Sequence, residues 1–119
     1  MGVRRLGRAS RGLSTRYNVE VTHLADQQLL QAALWWRTNR PKAPGAIREE
    51  FGRAVQVLAE QPHLGAQARS DRVPEVRRLY LRRVRYYVYY RILEHTHTVQ
   101  ILAFWHASRG NEPSLSGAA

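Results

Sequence analysis

The sequence predicts an α+β domain in the order β-α-α-β-β-β, with a helical hairpin packed on one face of a small, mainly antiparallel sheet. Apolar and polar residues alternate over 17–21, two stretches of helical period follow, and three alternating stretches come in quick succession after residue 75. At 119 residues the chain is expected to form one domain with a modest core.

Tyr17-Asn18-Val19-Glu20-Val21 has the period of a half-buried strand. Thr22 can cap the next element, a helix, with Asp26 in the first turn where the helix dipole favours an anion. Leu29, Ala32, Ala33 and Trp36 share one face of this helix, which Asn39-Arg40-Pro41 ends. Of the adjacent Trp35 and Trp36, one must point away from the core, where it is free for a partner contact.

A second helix is expected from about Pro44 to Gln61, with Pro62 stopping it. Its apolar stripe is Ile47, Phe51, Val55 and Leu58, with Ala54 alongside. Residues 62–75 read as a loop. Strands are then expected at about 76–82, 85–93 and 97–105, and connections this short favour an antiparallel meander. In the last strand Val99, Ile101, Ala103 and Trp105 are expected on one side and Leu102 and Phe104 on the other. A strand apolar on both faces belongs in the middle of a sheet.

Residues 77–92, RRLYLRRVRYYVYYRI, hold six arginines and five tyrosines without one acidic residue. On the first strand of this stretch Leu79 and Leu81 point one way and Arg78, Tyr80 and Arg82 the other. On the second, Val88, Tyr90 and Ile92 oppose Arg85, Tyr87, Tyr89 and Arg91. The sheet is therefore expected to have an apolar face under the helices and an open face of arginine and tyrosine. Such a face can stack a base or hold a phosphate. It can equally hold an acidic peptide, and tyrosine is also simply a good strand former.

The formal net charge is +10, which points to an anionic partner, either nucleic acid or an acidic protein. Nearly all the excess is arginine, since Lys42 is the sole lysine. Arginine suits bidentate contacts with phosphate or carboxylate, although a GC-rich genome also favours its codons. The absence of cysteine excludes disulfides, thiolate zinc sites and cysteine nucleophiles, and it fits the reducing cytoplasm expected here. No apolar run approaches the ~20 residues of a membrane span, so no membrane partner is expected. His95 and His97 flank a turn with no carboxylate nearer than Glu94, too few ligands for a metal site, and no metal or cofactor is expected. Residues 1–16 carry five arginines and no acid, which reads as a basic, disordered arm. The same composition superficially resembles a transit peptide, and an upstream start codon would also account for it. Residues 110–119 are expected to be a flexible tail.

From Tyr17 to Arg109 the chain resembles the RelE/ParE superfamily of bacterial type II toxins. The resemblance lies in Thr22 with Ala25, Leu58-Ala59-Glu60-Gln61-Pro62-His63-Leu64-Gly65, Val76-Arg77-Arg78-Leu79, Tyr89-Tyr90-Arg91-Ile92, and Ile101-Leu102-Ala103-Phe104-Trp105-His106-Ala107-Ser108-Arg109. It implies a single toxin domain over 17–109 with the β-α-α-β-β-β fold. RelE-like members cut messenger RNA at the ribosome, and ParE-like members poison DNA gyrase without cutting nucleic acid. Both are neutralised by a small acidic antitoxin, which implies a hetero-oligomer and accounts for the charge.

The Trp105-to-Arg109 ending is similar to that of ParE-like and plasmid-stabilisation members. Tyr80 and Tyr87 stand where a RelE-like nuclease places basic groups, and the tail after Arg109 offers no tyrosine, histidine or lysine. The expected activity is therefore gyrase inhibition by binding. The binding surface would comprise the arginine–tyrosine face together with Arg77 and Trp105. The alternatives are a ribosome-dependent mRNA endonuclease and an inactive protein of the same fold. In the nuclease, His106 would serve as acid–base group with Arg78 and Arg109, and Arg77, Arg85 or Arg91 would clamp phosphate. In a purely structural role, His106 would cap the last strand.

Overall fold

The computed structural model describes residues 3–7, 16–70 and 72–115. In chain order the elements are β1 (Val3–Gly7), β2 (Asn18–Thr22), α1 (His23–Asn39), α2 (Ala46–Glu60), β3 (Ala66–Gln67), β4 (Arg77–Leu81), β5 (Tyr86–Leu93) and β6 (Thr98–His106). The described strands form a six-stranded sheet in the order β1-β2-β6-β5-β4-β3. Its neighbours are antiparallel except β2 and β6, which run parallel. The α+β class and the meander of the last strands are as the sequence predicts. Among the described residues, no helix is long and apolar enough to cross a membrane.

Thr22 begins α1 as expected: its backbone is extended and its hydroxyl accepts the Ala25 N–H at 3.2 Å. At the other end the Arg40 N–H returns to the Trp36 carbonyl at 2.6 Å, and Pro41 prevents a further turn. Helix α2 starts at Ala46 rather than Pro44, because a tight turn from Arg40 to Ala43 and then Ala46 intervenes. The predicted faces are the buried ones. Leu29 and Ala32 of α1 meet Ile47, Phe51, Val55 and Leu58 of α2 over Val19, Val21, Val88, Val99 and Ile101 of the sheet.

β6 is buried from Thr98 through Phe104. Its alternation is not regular, however. Tyr89 lies opposite Ala103 and Tyr90 opposite Ile101, so Leu102 is an extra residue on β6. This bulge reverses the facing of the residues after it. Phe104, expected opposite Val99 and Ile101, joins them beneath the helices, where its ring meets Phe51 edge-on and stacks on Tyr86. Ala103 goes to the other face.

That other face is not fully open. Val73, Val76, Tyr89, Leu102, Ala103 and Leu115 form a second buried cluster on it. Leu115 belongs to the segment expected to be flexible. It folds back because the apolar side chains of Leu102 and Ala103 would otherwise meet water. Residues 116–119 lie outside the described ones. At the opposite edge Val3–Gly7, within the arm expected to be disordered, pairs with β2 and satisfies backbone groups of that strand. Residues 1–2 and 8–15 are outside the described residues.

A buried tyrosine fastens the loop after α2. The Tyr90 hydroxyl donates to the Pro62 carbonyl at 2.7 Å and accepts the Gly65 N–H at 2.8 Å. A Cβ at position 65 would sit 2.5 Å from that hydroxyl oxygen and 2.8 Å from the Arg78 carbonyl oxygen, so only glycine fits. Tyr90→Phe keeps the ring but strands a backbone donor and acceptor. It is expected to lower unfolding free energy by roughly 1–3 kcal/mol with an unchanged denaturant slope. A loss under about 0.5 kcal/mol in urea unfolding would show that water replaces the hydroxyl at no cost.

Candidate functional site

The sheet register sets an aromatic row across three strands. Tyr80 of β4 pairs with Tyr87 of β5, which pairs with Trp105 of β6. On the neighbouring rung Arg78 pairs with Tyr89. The Arg78 guanidinium lies 4.2 Å from the Tyr87 ring centre and donates to the Tyr89 hydroxyl at 3.2 Å. At the other end of the row the Arg109 guanidinium stands 4.1 Å from the Trp105 ring centre. Cations and rings thus alternate, an arrangement that positions arginine while leaving N–H donors for a ligand. The hydrogen bond from Arg78 to Tyr89 holds that guanidinium further above its ordinary pKa, with Tyr87 and Glu112 adding to the effect. Arg78, Tyr87, Tyr89, Trp105, His106 and Arg109 line one small cavity of about 120 Å3, so the three candidate catalytic residues His106, Arg78 and Arg109 come together there.

The rest of the expected arginine set is dispersed. Arg77 lies on the same side as Tyr90, and its guanidinium donates to the carbonyls of Gly65 at 2.7 Å and His63 at 3.2 Å. It braces the loop rather than the aromatic row. Arg82 and Arg85 fall in the turn between β4 and β5, and Arg85 has a left-handed backbone with φ of 62°. Arg91 is two rungs further along β5, where its Nε donates to the Gln100 side chain at 2.8 Å. Tyr89 is buried, so only Tyr80, Tyr87 and Trp105 offer ring surface to a partner.

His106 stands one residue beyond Trp105 and its ring packs edge-on against Tyr86, which belongs to the helix-covered core. Its Nδ1 accepts the Ser108 N–H at 3.1 Å and lies 2.6 Å from the Ser108 hydroxyl. With Nδ1 accepting, the neutral ring carries its proton on Nε2. Burial, then the charges of Arg109 and Arg85, hold its pKa below the ordinary value.

Several contributors escape a reading by strand period. The Asn111 backbone carbonyl accepts the Trp105 indole N–H at 2.9 Å, and among the described residues Glu112 is the carboxylate whose charge acts on Arg78. Both sit after Arg109, in the stretch that leads to Leu115, where no periodicity marks a contact with the sheet. Arg83, one residue from the expected Arg82, donates to Glu49 at 2.8 Å and Glu50 at 3.2 Å and ties the β4–β5 turn to α2. Trp36 packs inward and donates its indole N–H to the Ala43 carbonyl at 2.9 Å, leaving Trp35 half exposed as the outward ring.

The family model described as "ParE toxin of type II toxin-antitoxin system, parDE" matches residues 19–110. Comparison with curated proteins finds no match. Among solved structures, a chain of the chromosomal ParDE TA system from P. aeruginosa is similar at 24% identity and a TM-score of 0.64. The alignment spans 80% of the present chain and 100% of that one, a likeness of fold.

A histidine whose folded pKa is depressed contributes stability above its unfolded value and loses it as pH falls through the folded one. His106 is therefore expected to titrate below 6.5 by NMR, and stability to decline as the medium is acidified through that region. Arg109→Gln should move the midpoint upward. A midpoint at or above 6.5 in the unsubstituted protein would mean that the ring gains an anionic neighbour instead.

Proposed function

The chain belongs to the ParE toxin family of type II toxin–antitoxin systems, and from that premise we propose that it inhibits DNA gyrase by binding and is neutralised by a small acidic antitoxin. The observation that carries this reading is the row in which Arg78 and Arg109 rest on Tyr87 and Trp105. Among the described residues neither guanidinium forms a salt bridge, so each keeps donors for a carboxylate brought by another protein. The rings between them offer the apolar contact that a peptide backbone and aliphatic side chains need.

Binding, rather than RNA cleavage, suits the disposition of His106. Phosphodiester cleavage by a 2′-hydroxyl needs a base, an acid and cations converging on one phosphate. His106 shares a small cavity with Arg78 and Arg109, but its ring packs on Tyr86 and its Nδ1, the basic nitrogen of the neutral ring, is engaged by Ser108 rather than open to a hydroxyl. An antitoxin of complementary charge would reach the row first by electrostatic steering, and complex formation should be salt-dependent.

Purified protein is expected to abolish gyrase supercoiling while leaving ribosome-programmed mRNA intact. Arg78→Gln combined with Arg109→Gln, in protein that remains folded, should weaken inhibition about tenfold or more. Cut mRNA with normal supercoiling, abolished by His106→Ala alone, would transfer the protein to the nuclease branch. Separately, a short acidic protein encoded beside this gene should co-purify with it and rescue growth. Failure on both counts would contradict the neutralisation mechanism.

A further inference from the structure

A second concave surface begins at the Trp105–Arg109 end of the aromatic row and runs toward α1. β2 pairs with β6 only as far as Val21 and Ile101, after which the chain turns into α1. Two side chains take over the abandoned edge of β6. The Thr22 hydroxyl lies 3.4 Å from the Leu102 carbonyl oxygen, and the Gln28 amide oxygen accepts the Phe104 N–H at 2.8 Å. Beyond them α1 and the end of β6 enclose a cleft of about 610 Å3, within the range of small-molecule sites.

The lining has a distinctive chemistry. Its charged members are Arg40 and Arg109, and no carboxylate is among the described residues that line it. Elsewhere Arg16, Arg53 and Arg83 each pair with glutamate, but among the described residues Arg40 and Arg109 have no such partner. Trp35 contributes an indole that is 49% exposed, with the Arg40 guanidinium 5.4 Å from its ring centre. Gln28 has its amide oxygen engaged and keeps its NH2 as donor, while Gln31 beside it can both donate and accept. His106 completes the far wall with Nε2–H as a further donor.

A purely apolar ligand would leave both cations without use, and a simple anion would leave the indole and the amides without use. An acidic peptide would engage the cations but has no flat polar ring for Trp35 and the glutamines. A nucleotide uses all of them: a planar base for stacking, ring nitrogens and carbonyls for amides, and a phosphate for guanidinium groups. We propose that this cleft binds a phosphorylated nucleoside, its base stacked on Trp35 and its phosphate held by Arg40 and Arg109. The ligand is either a free mononucleotide or a nucleotide at the end of a single strand, since both present the same groups. Arg109 also belongs to the row invoked for gyrase binding, but Trp35 and Arg40 do not, and the titration below tests the cleft separately from that reading.

The three tryptophans give three indole N–H signals in the 15N-labelled full-length chain, assigned through Trp35→Phe. Titration with AMP and with GMP is expected to move the Trp35 signal and to leave Trp36, bonded to the Ala43 carbonyl, in place. Arg40→Gln, and Trp35→Ala followed through the backbone amide signals of the cleft because it lacks the indole N–H, should each weaken binding about tenfold. Both positions are solvent-exposed, so the variants should fold, and an unchanged remaining spectrum checks this. Saturation by the mononucleotide alone identifies a free nucleotide as ligand. A Trp35 shift seen only with a short 5′-phosphorylated oligonucleotide identifies a strand end, and either result supports the cleft. The proposal is overturned if inorganic phosphate reproduces the Trp35 shift or a glutamate-rich peptide binds there more tightly. It is equally overturned if AMP, GMP and the oligonucleotide leave that signal unmoved.

Discussion

The structure depends on one strand being dry on both sides. β6 is buried from Thr98 through Phe104, with Val99 and Ile101 under the helices and Leu102 and Ala103 under the second cluster. A strand so placed needs both cover and complete backbone pairing, because an unpaired buried amide costs as much as a lost hydrogen bond. β5 supplies the pairing on one edge. β2 supplies it on the other until it turns into α1, and the Gln28 side chain then meets the Phe104 N–H. The helices, the returning tail and even a mid-helix glutamine can be understood as responses to that strand.

The same arrangement explains how so much positive charge is accommodated. Arginines that pair with carboxylates, such as Arg16 and Arg83, hold loops and helices together on the periphery. Arg77 does similar work without an acid by donating to two carbonyls. Arg78 and Arg109 are different, because they rest on rings fixed by strand register. Stacking on those rings narrows the positions their guanidinium groups occupy before any partner arrives, so less side-chain entropy is lost on binding. Lysine would not serve equally, having neither the planar face for stacking nor a rigid fork of donors.

Much of this was legible in the sequence because much of it is periodic. Thr22 as a cap, the apolar stripes of both helices, and the separation of Leu79 from Tyr80 come from spacing alone. What escaped detection is what breaks the period or acts over distance. The Leu102 bulge reverses the positions of Ala103 and Phe104, and no local feature marks it. Arg77 reads like Arg78, yet the loop carbonyl of Gly65 claims it. Leu115 looks like part of a polar tail until the hollow above Tyr89 is seen. Trp35 could be recognised as outward-facing, but only tertiary structure brings it to the same cleft as His106 and Arg109.

The parallel pairing of β2 with β6 joins strands from opposite ends of the described chain. The sheet therefore cannot be completed from local contacts, since its middle strand is the last of the described strands to be made. A growing chain carries β2, both helices and β5 with their apolar sides uncovered until Thr98–His106 emerges. High contact order of this kind slows folding and prolongs exposure of sticky surfaces. Synthesis itself thus delays assembly of the Tyr80–Tyr87–Trp105 row, which must wait for Thr98–His106 to emerge.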